Sequence, residues 1–283
     1  MLQSKPAKVF IYVFSAIFCI ITLYPYFVMV TNSFKGLNEI FAIPPTVLPT
    51  EWHWENYVNI WKDIPLIYYV RNTFVVSVCA TVLCIICAVP TGYAMARMKF
   101  PGKQTFMSVI IVTQMFSTVV LMVGIFKLMV ALKLTNSLTG IILLIAAFNQ
   151  AFASWMLSGT FRSISFELEE AALIDGCNRV NAMLRVILPL AAPGIVTAVI
   201  FVFINGWNEY MLTLILISDQ LKKSLNTGIK SFFGYTNTEW HYVFAASTLA
   251  TLPLLAFFQV LEKHLMGGQL PAALRVDFSV KYW

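Results

Sequence analysis

The sequence is short of charge. Asp, Glu, Lys and Arg make up 11% of its 283 residues, against about 25% in soluble domains. Hydrophobic residues make up 59%, above the usual level of about 45–50%. So few charges cannot coat an ordinary soluble globule, and so much apolar content excludes a disordered or collagen-like chain. No run of five or six like charges occurs, so there is no polybasic arm, and nucleic acid is not an expected partner. The net charge of +6 fits basic loops facing an anionic cytoplasmic leaflet.

Other absences narrow the reading. No period of 20–50 residues recurs, which excludes repeat architectures. There is no P-loop: Gly102-Lys103 comes closest, but position 97 is Arg where that motif needs Gly. The cysteines stand at 19, 79, 84, 87 and 177. Cys84 and Cys87 form a lone CxxC without a second pair or a nearby His, so neither a metal site nor a disulfide framework is expected. His53, His241 and His264 lie near loop or span ends without ligand spacing. No cluster of His, Asp or Glu and no nucleophile motif supports a membrane-embedded enzyme.

What is present is a set of long apolar runs. A spanning helix needs about 20 apolar residues. Six stretches qualify, at roughly 9–33, 70–96, 104–127, 135–160, 190–217 and 240–262. They are continuous rather than alternating, so helices are preferred over barrel strands. Prolines 25, 90 and 253 fall inside them and are expected to kink rather than end a helix. Lys5 and Lys8 precede a first run too long for a signal peptide, which therefore reads as a retained span. The expected fold class is an all-α integral membrane protein with six transmembrane helices, forming one domain over 1–283. Six spans put both termini on one side. That side holds 11 of the Lys and Arg residues and the other holds 8, which places the termini in the cytoplasm. Residues 35–70 then form an outer loop rich in Trp and Tyr, read either as an interfacial belt or as a contact for an external partner.

The inner loop at 162–189 carries the sharpest signal. Residues 163–176 read as a short helix. Ser163 or Ser165 can cap it, Glu167, Glu169 and Glu170 suit its positive end, and Gly176 can supply the left-handed residue that stops it. A second helical piece, 178–188, should end at Pro189. Leu168, Ala172 and Gly176 recur every four residues and should share a face whose side chains shrink to bare backbone. Ala171 and Asp175 form an adjacent stripe, and Glu170 offers a charge. An interfacial helix usually presents Lys and Arg; this one starts acidic, which favours docking to a cytoplasmic protein.

Glu170-Ala171-Ala172, Asp175-Gly176, Leu188-Pro189-Leu190 and Pro193 resemble the EAA loop of bacterial ABC-importer permeases. Asn205-Gly-Trp-Asn-Glu-Tyr210, Pro253 and Gly267-Gly268 look like the carbohydrate-uptake class, of the maltose and multiple-sugar type. The resemblance runs from the first span to about residue 275. Cys177 stands where the family usually has Ala, Ser165 where Pro is frequent, and Pro271–Arg275 replaces a more Gly-rich ending. The resemblance implies a type I ABC-importer permease fold in a bacterial inner (plasma) membrane, with a cytoplasmic EAA coupling helix. It implies as partners a second, related permease, two ATP-binding subunits and an extracytoplasmic sugar-binding protein, with carbohydrate as the substrate. No cofactor is implied for this chain, since ATP and Mg are held by the separate ATPase. Coupling to that ATPase is expected at Glu170, Ala171, Ala172, Asp175 and Gly176, with Glu170 facing an ATPase Arg.

Asn205, Trp207, Asn208 and Glu209 interrupt the fifth apolar run. A charge at membrane depth points to function by default. Asn and Glu suit sugar hydroxyls, and a Trp ring suits the apolar face of a sugar. The same residues could instead tie the fifth helix to a neighbour. Gln114 and Asn149-Gln150 are further polar groups at lipid depth, open to both uses. The main rival function is a self-sufficient secondary transporter. That class favours paired broken helices in internal repeats, which the sequence does not show.

Overall fold

A computed structural model describes residues 5–234 and 238–269. Among these, secondary structure is helical apart from one isolated antiparallel bridge between Phe233 and Thr238. The described residues pack as two units, one of residues 5–67 with 227–234 and 238–253, and one of 68–226 with 254–269. The Pro271–Arg275 ending lies outside the described residues.

The first unit begins with α1, Lys5–Ser33, which runs through Pro25 without a break. The loop that follows folds back on its end. The Tyr57 hydroxyl lies 2.7 Å from Ser33 Oγ, and Asn56 Nδ2 donates to the Ser33 and Lys35 carbonyls at 3.0 and 3.1 Å. Both residues sit on α2, Asn56–Asp63. The Phe34 ring packs against Trp52, Trp54 and Tyr57 with centroids 4.6–5.3 Å apart. Lys35 is buried, its ammonium donating to the Thr46 carbonyl at 2.5 Å. Glu39 Oε1 accepts from Thr46 Oγ1 at 2.9 Å and from the Thr50 amide at 2.8 Å.

Nearly all of α3, Leu66–Arg97, belongs to the second unit and passes through Pro90 as one helix. It is followed by α4, Lys103–Thr113, α5, Thr118–Ala131, and α6, Leu138–Ser163. The third apolar run is thus not one helix. It breaks at Gln114–Ser117, and each half is shorter than the roughly 30 Å hydrocarbon core. Uncharged residues in the break raise no signal in a hydropathy window.

Beyond α6 come α7, Phe166–Ile174, α8, Arg179–Leu190, α9, Ala192–Trp207, and α10, Met211–Leu216. The fifth run is also broken, at Asn208–Tyr210, and α8 meets α9 at an angle of 79°. Pro189 does not stop α8. A π-helical turn at Met183–Ile187 precedes it, and the Leu188 amide reaches back five residues to the Met183 carbonyl. That wider turn accommodates the proline inside the helix, and the bend falls two residues later at Ala191. The last helix, α11, Trp240–Gln269, runs through Pro253.

Among the described residues, four helices are long and apolar enough to cross a membrane: Val9–Ser33, Leu66–Arg97, Leu138–Ser163 and Trp240–Val260. The bent α8–α9 pair could make a fifth. In the second unit, α3, α6 and α9 meet through small residues, with Ala88, Ala153 and Ala198 fully buried. A Cβ on Gly92 would stand 2.9 Å from the Leu157 Cβ, and one on Gly194 would stand 2.4 Å from the Thr160 side chain. Close backbone approach of this kind is how helices associate where lipid supplies no hydrophobic drive.

Candidate translocation path and docking helix

The breaks in the third and fifth apolar runs place polar groups beside one another. A cavity of about 320 Å³ is lined by Gln114, Asn149, Asn205 and Glu209, together with Phe148, Phe152 and Phe201. Asn205 Nδ2 donates to Asn149 Oδ1 at 2.8 Å, and Gln114 Nε2 donates to the Phe148 carbonyl at 3.2 Å. The rings of Phe152 and Phe201 lie 4.1 Å apart. Amide groups beside aromatic rings suit a ligand with hydroxyls on its edge and C–H groups on its faces.

The four residues singled out in the fifth run do not act as one set. Asn205 and Glu209 reach the cavity. Trp207 is 3% exposed and stacks on Phe203 at 5.9 Å, inside the core. Asn208 is exposed and closes α9. Glu209 Oε1 accepts from the Leu212 amide at 2.7 Å, so it also caps the start of α10. Sequence reasoning left Gln114 and Asn149 unassigned and missed the three Phe rings, because a Phe in an apolar run carries no signal of its own.

At residues 162–189 the capping signals act as expected. Ser165 is the N-cap of α7, its Oγ accepting from the Glu167 amide at 3.3 Å. Gly176 ends the segment at φ +88°, a conformation that costs a side-chain-bearing residue energy. Asn178 caps α8 through the Asn181 amide at 2.8 Å. The face expected to carry Leu168, Ala172 and Gly176 is not evenly exposed. Ala172 is 7% exposed and faces inward, while Leu168 and Gly176 are exposed. Side chains on so short a helix are oriented by what it packs against, and α7 packs on the buried side of Glu169 and Ala172. The outward face carries Glu170, Ala171, Ile174 and Asp175, with Ile174 85% exposed. An apolar residue this bare in a polar loop was the signal that could have added Ile174 to the site.

Glu169, in contrast, is 3% exposed. Its Oε1 accepts from the Tyr93 hydroxyl at 2.5 Å, and its Oε2 lies 3.2 Å from Arg97 Nε. Arg97 also donates from Nη2 to the Ile164 carbonyl at 2.8 Å, and its guanidinium lies 5.4 Å from the centre of the Phe166 ring. The helix thus presents one acid outward and buries the next.

Residues 88–266 match the family described as binding-protein-dependent transport system inner membrane component. The chain belongs to that family. It is therefore a multi-pass membrane component of a transport system, and its relatives are named as permease proteins. The inner membrane ABC transporter permease protein YcjP of Escherichia coli K12 is 33% identical over 255 residues, covering 89% of this chain and 91% of that one. The sulfoquinovosyl glycerol transport system permease protein SmoH of Agrobacterium fabrum is 31% identical over 273 residues, covering 96% and 95%. A solved bacterial ABC transporter involved in import of the acidic polysaccharide alginate has a chain that superposes with a TM-score of 0.78 at 24% identity, covering 93% of this chain and 99% of that one. At that identity the likeness shows the permease fold.

Proposed function

We propose that this chain is the membrane-spanning subunit of an ATP-driven, binding-protein-dependent carbohydrate importer, forming half of the translocation path. The carbohydrate class is supported by a relative named for sulfoquinovosyl glycerol transport and by a fold neighbour involved in alginate import. The amide- and Phe-lined cavity supports it from the chemistry of the site. The two broken segments complete six crossings, with both termini cytoplasmic. A second permease closes the path, and a sugar-binding protein meets the outer loops at 35–70 and 219–239. ATP and its magnesium are held by two separate ATPase subunits.

The observation that carries the coupling is the two-sided character of α7. It is anchored inward by Glu169 and Ala172 and offers Glu170, Ala171, Ile174, Asp175 and the bare Gly176 backbone outward. A partner groove can close over that outward side, with Glu170 meeting a basic residue. The test is Glu170→Lys in the assembled transporter. Uptake into membrane vesicles should be abolished while this chain stays in the membrane. Full ATP-dependent uptake by that variant would overturn the docking assignment.

A further inference from the structure

The structure assigns to Arg97 the role of a strut that carries movement of the docking helix into α3. This rests on the docking reading of α7 and deepens it by naming the positioning residue that passes the movement on.

The covalent link between α6 and α7 is a weak transmitter. Ile164 and Ser165 are both extended, with ψ of 135° and 137°, so two non-helical residues separate the helices. Such a joint lets α7 swing without turning α6. Arg97, the last residue of α3, spans the joint. It donates to the Ile164 carbonyl within it, pairs with Glu169 beyond it and lies against the Phe166 ring at the first turn of α7. Tyr93, one turn earlier on α3, holds the other oxygen of Glu169. The pair is nearly dry, with the Arg97 and Glu169 side chains 7% and 4% exposed. A charge pair in that setting resists separation, because parting it leaves two uncompensated buried charges. When α7 moves, the end of α3 moves with it.

The far end of α3 is where that movement matters. The helix is unbroken for 32 residues, roughly 48 Å. Towards its other end, Asn72 Nδ2 donates to the carbonyls of Leu221 and Lys223 at 2.8 and 3.1 Å, and Thr73 Oγ1 accepts from the Leu225 amide at 2.7 Å. Ser77 packs so closely on α9 that a Cβ on Gly206 would lie 3.1 Å from the Ser77 Cα. Gly206 sits between Asn205 and the break at Asn208–Tyr210, beside the polar cavity. One continuous helix, unbroken at Pro90, therefore joins the docking helix to the wall of the path. Glu169 and Arg97 are the joint, and Glu170 is the handle.

The experiment uses the whole transporter reconstituted in proteoliposomes, with its partner permease, ATPase subunits and purified binding protein. The readouts are retention of the ATPase subunits and the stimulation of ATP hydrolysis by the binding protein. Arg97→Met and the shape-conserving Glu169→Gln should both keep their ATPase subunits. Each should lose stimulation by about 5–150-fold, the span of ordinary coupling between sites. Arg97→Lys, which restores the charge, should recover part of it, a rescue that loss of packing alone would not give. Wild-type stimulation in both variants overturns the strut. So does loss of the ATPase subunits from both, since the pair would then build the docking surface rather than transmit from it. Glu170→Lys, run in parallel, separates the two readings. Stimulation intact in Glu170→Lys sinks the docking reading itself, whereas stimulation lost there and intact in Arg97→Met sinks the strut alone.

Discussion

Asn205 on α9 and Asn149 on α6 share a hydrogen bond of 2.8 Å at the edge of the polar cavity. The bond ties two helices together, Asn149 Nδ2 donates in turn to the Ile145 carbonyl within α6 at 2.8 Å, and both residues line the cavity. Helix tying and cavity lining therefore coincide at the Asn205 side chain. Asn205→Ala should lower uptake by about tenfold, since it removes both a wall group and a helix contact worth around 1 kcal/mol. Asn208→Ala, at an exposed position outside the cavity lining, should leave uptake near wild type. Equal effects of the two changes in a vesicle uptake assay would refute this division.

The close crossing of α6 and α9 gives a second test. A Cβ on Gly194 would meet Thr160 Cγ2 and Oγ1, each at 2.4 Å. Gly194→Ala should therefore push the helices apart and destabilise the protein by about 1–3 kcal/mol, the usual cost of overpacking. Thr160→Ala in the same chain should recover part of the loss, because it removes the two nearest atoms and keeps only the Cβ at 2.9 Å. Thermal unfolding in detergent, read for the single and the double variants, checks both expectations. A double variant no more stable than Gly194→Ala would mean that the crossing is relieved elsewhere.

The two ends of α7 were legible in the sequence, and its buried face was not. Ser165 and Gly176 act through their own neighbours, so the helix limits could be read from local chemistry. Which of Glu169 and Glu170 turns inward depends on Arg97 and Tyr93, which lie more than 70 residues earlier, and no local pattern records that. The apolar runs showed where the chain is apolar, but not where its helices break. Gln114–Ser117 interrupts a helix without a charged residue to mark it, and the polar Asn208–Tyr210 showed which residues were unusual without showing that the helix ends there. Around the cavity, Asn205 and Glu209 stood out against apolar neighbours, and Phe148, Phe152 and Phe201 blended into theirs.

Gly176 separates backbone strain from docking. Its φ is +88°, and a Cβ there would meet nothing within 4 Å. Gly176→Asn should be nearly neutral, because Asn tolerates the left-handed region. Gly176→Ala should cost about 1–2 kcal/mol in local stability through strain alone. Gly176→Trp adds bulk where a Cβ meets open space, so a loss of uptake beyond that of Gly176→Ala points to a partner. The expected order of uptake is Asn, then Ala, then Trp with none. Wild-type uptake by the Trp variant would show that no partner closes over this end of α7.

The loop after α1 should loosen in acid. Burial raises the Glu39 carboxyl, but the Thr50 amide, the hydroxyls of Thr46 and Thr50, and the Lys35 ammonium outweigh it and hold the group below its ordinary 4.5. A carboxylate lowered in the folded state adds stability above its unfolded value and loses it as the pH falls through the folded one. Between pH 7 and 5 the Thr50 amide should therefore stay protected from hydrogen exchange, and its protection should fall as the pH drops well below 4.5. In Glu39→Gln the protection at neutral pH should be lower and the acid step should vanish, because a neutral amide cannot titrate. An acid step of unchanged size in Glu39→Gln would assign the loosening to another group.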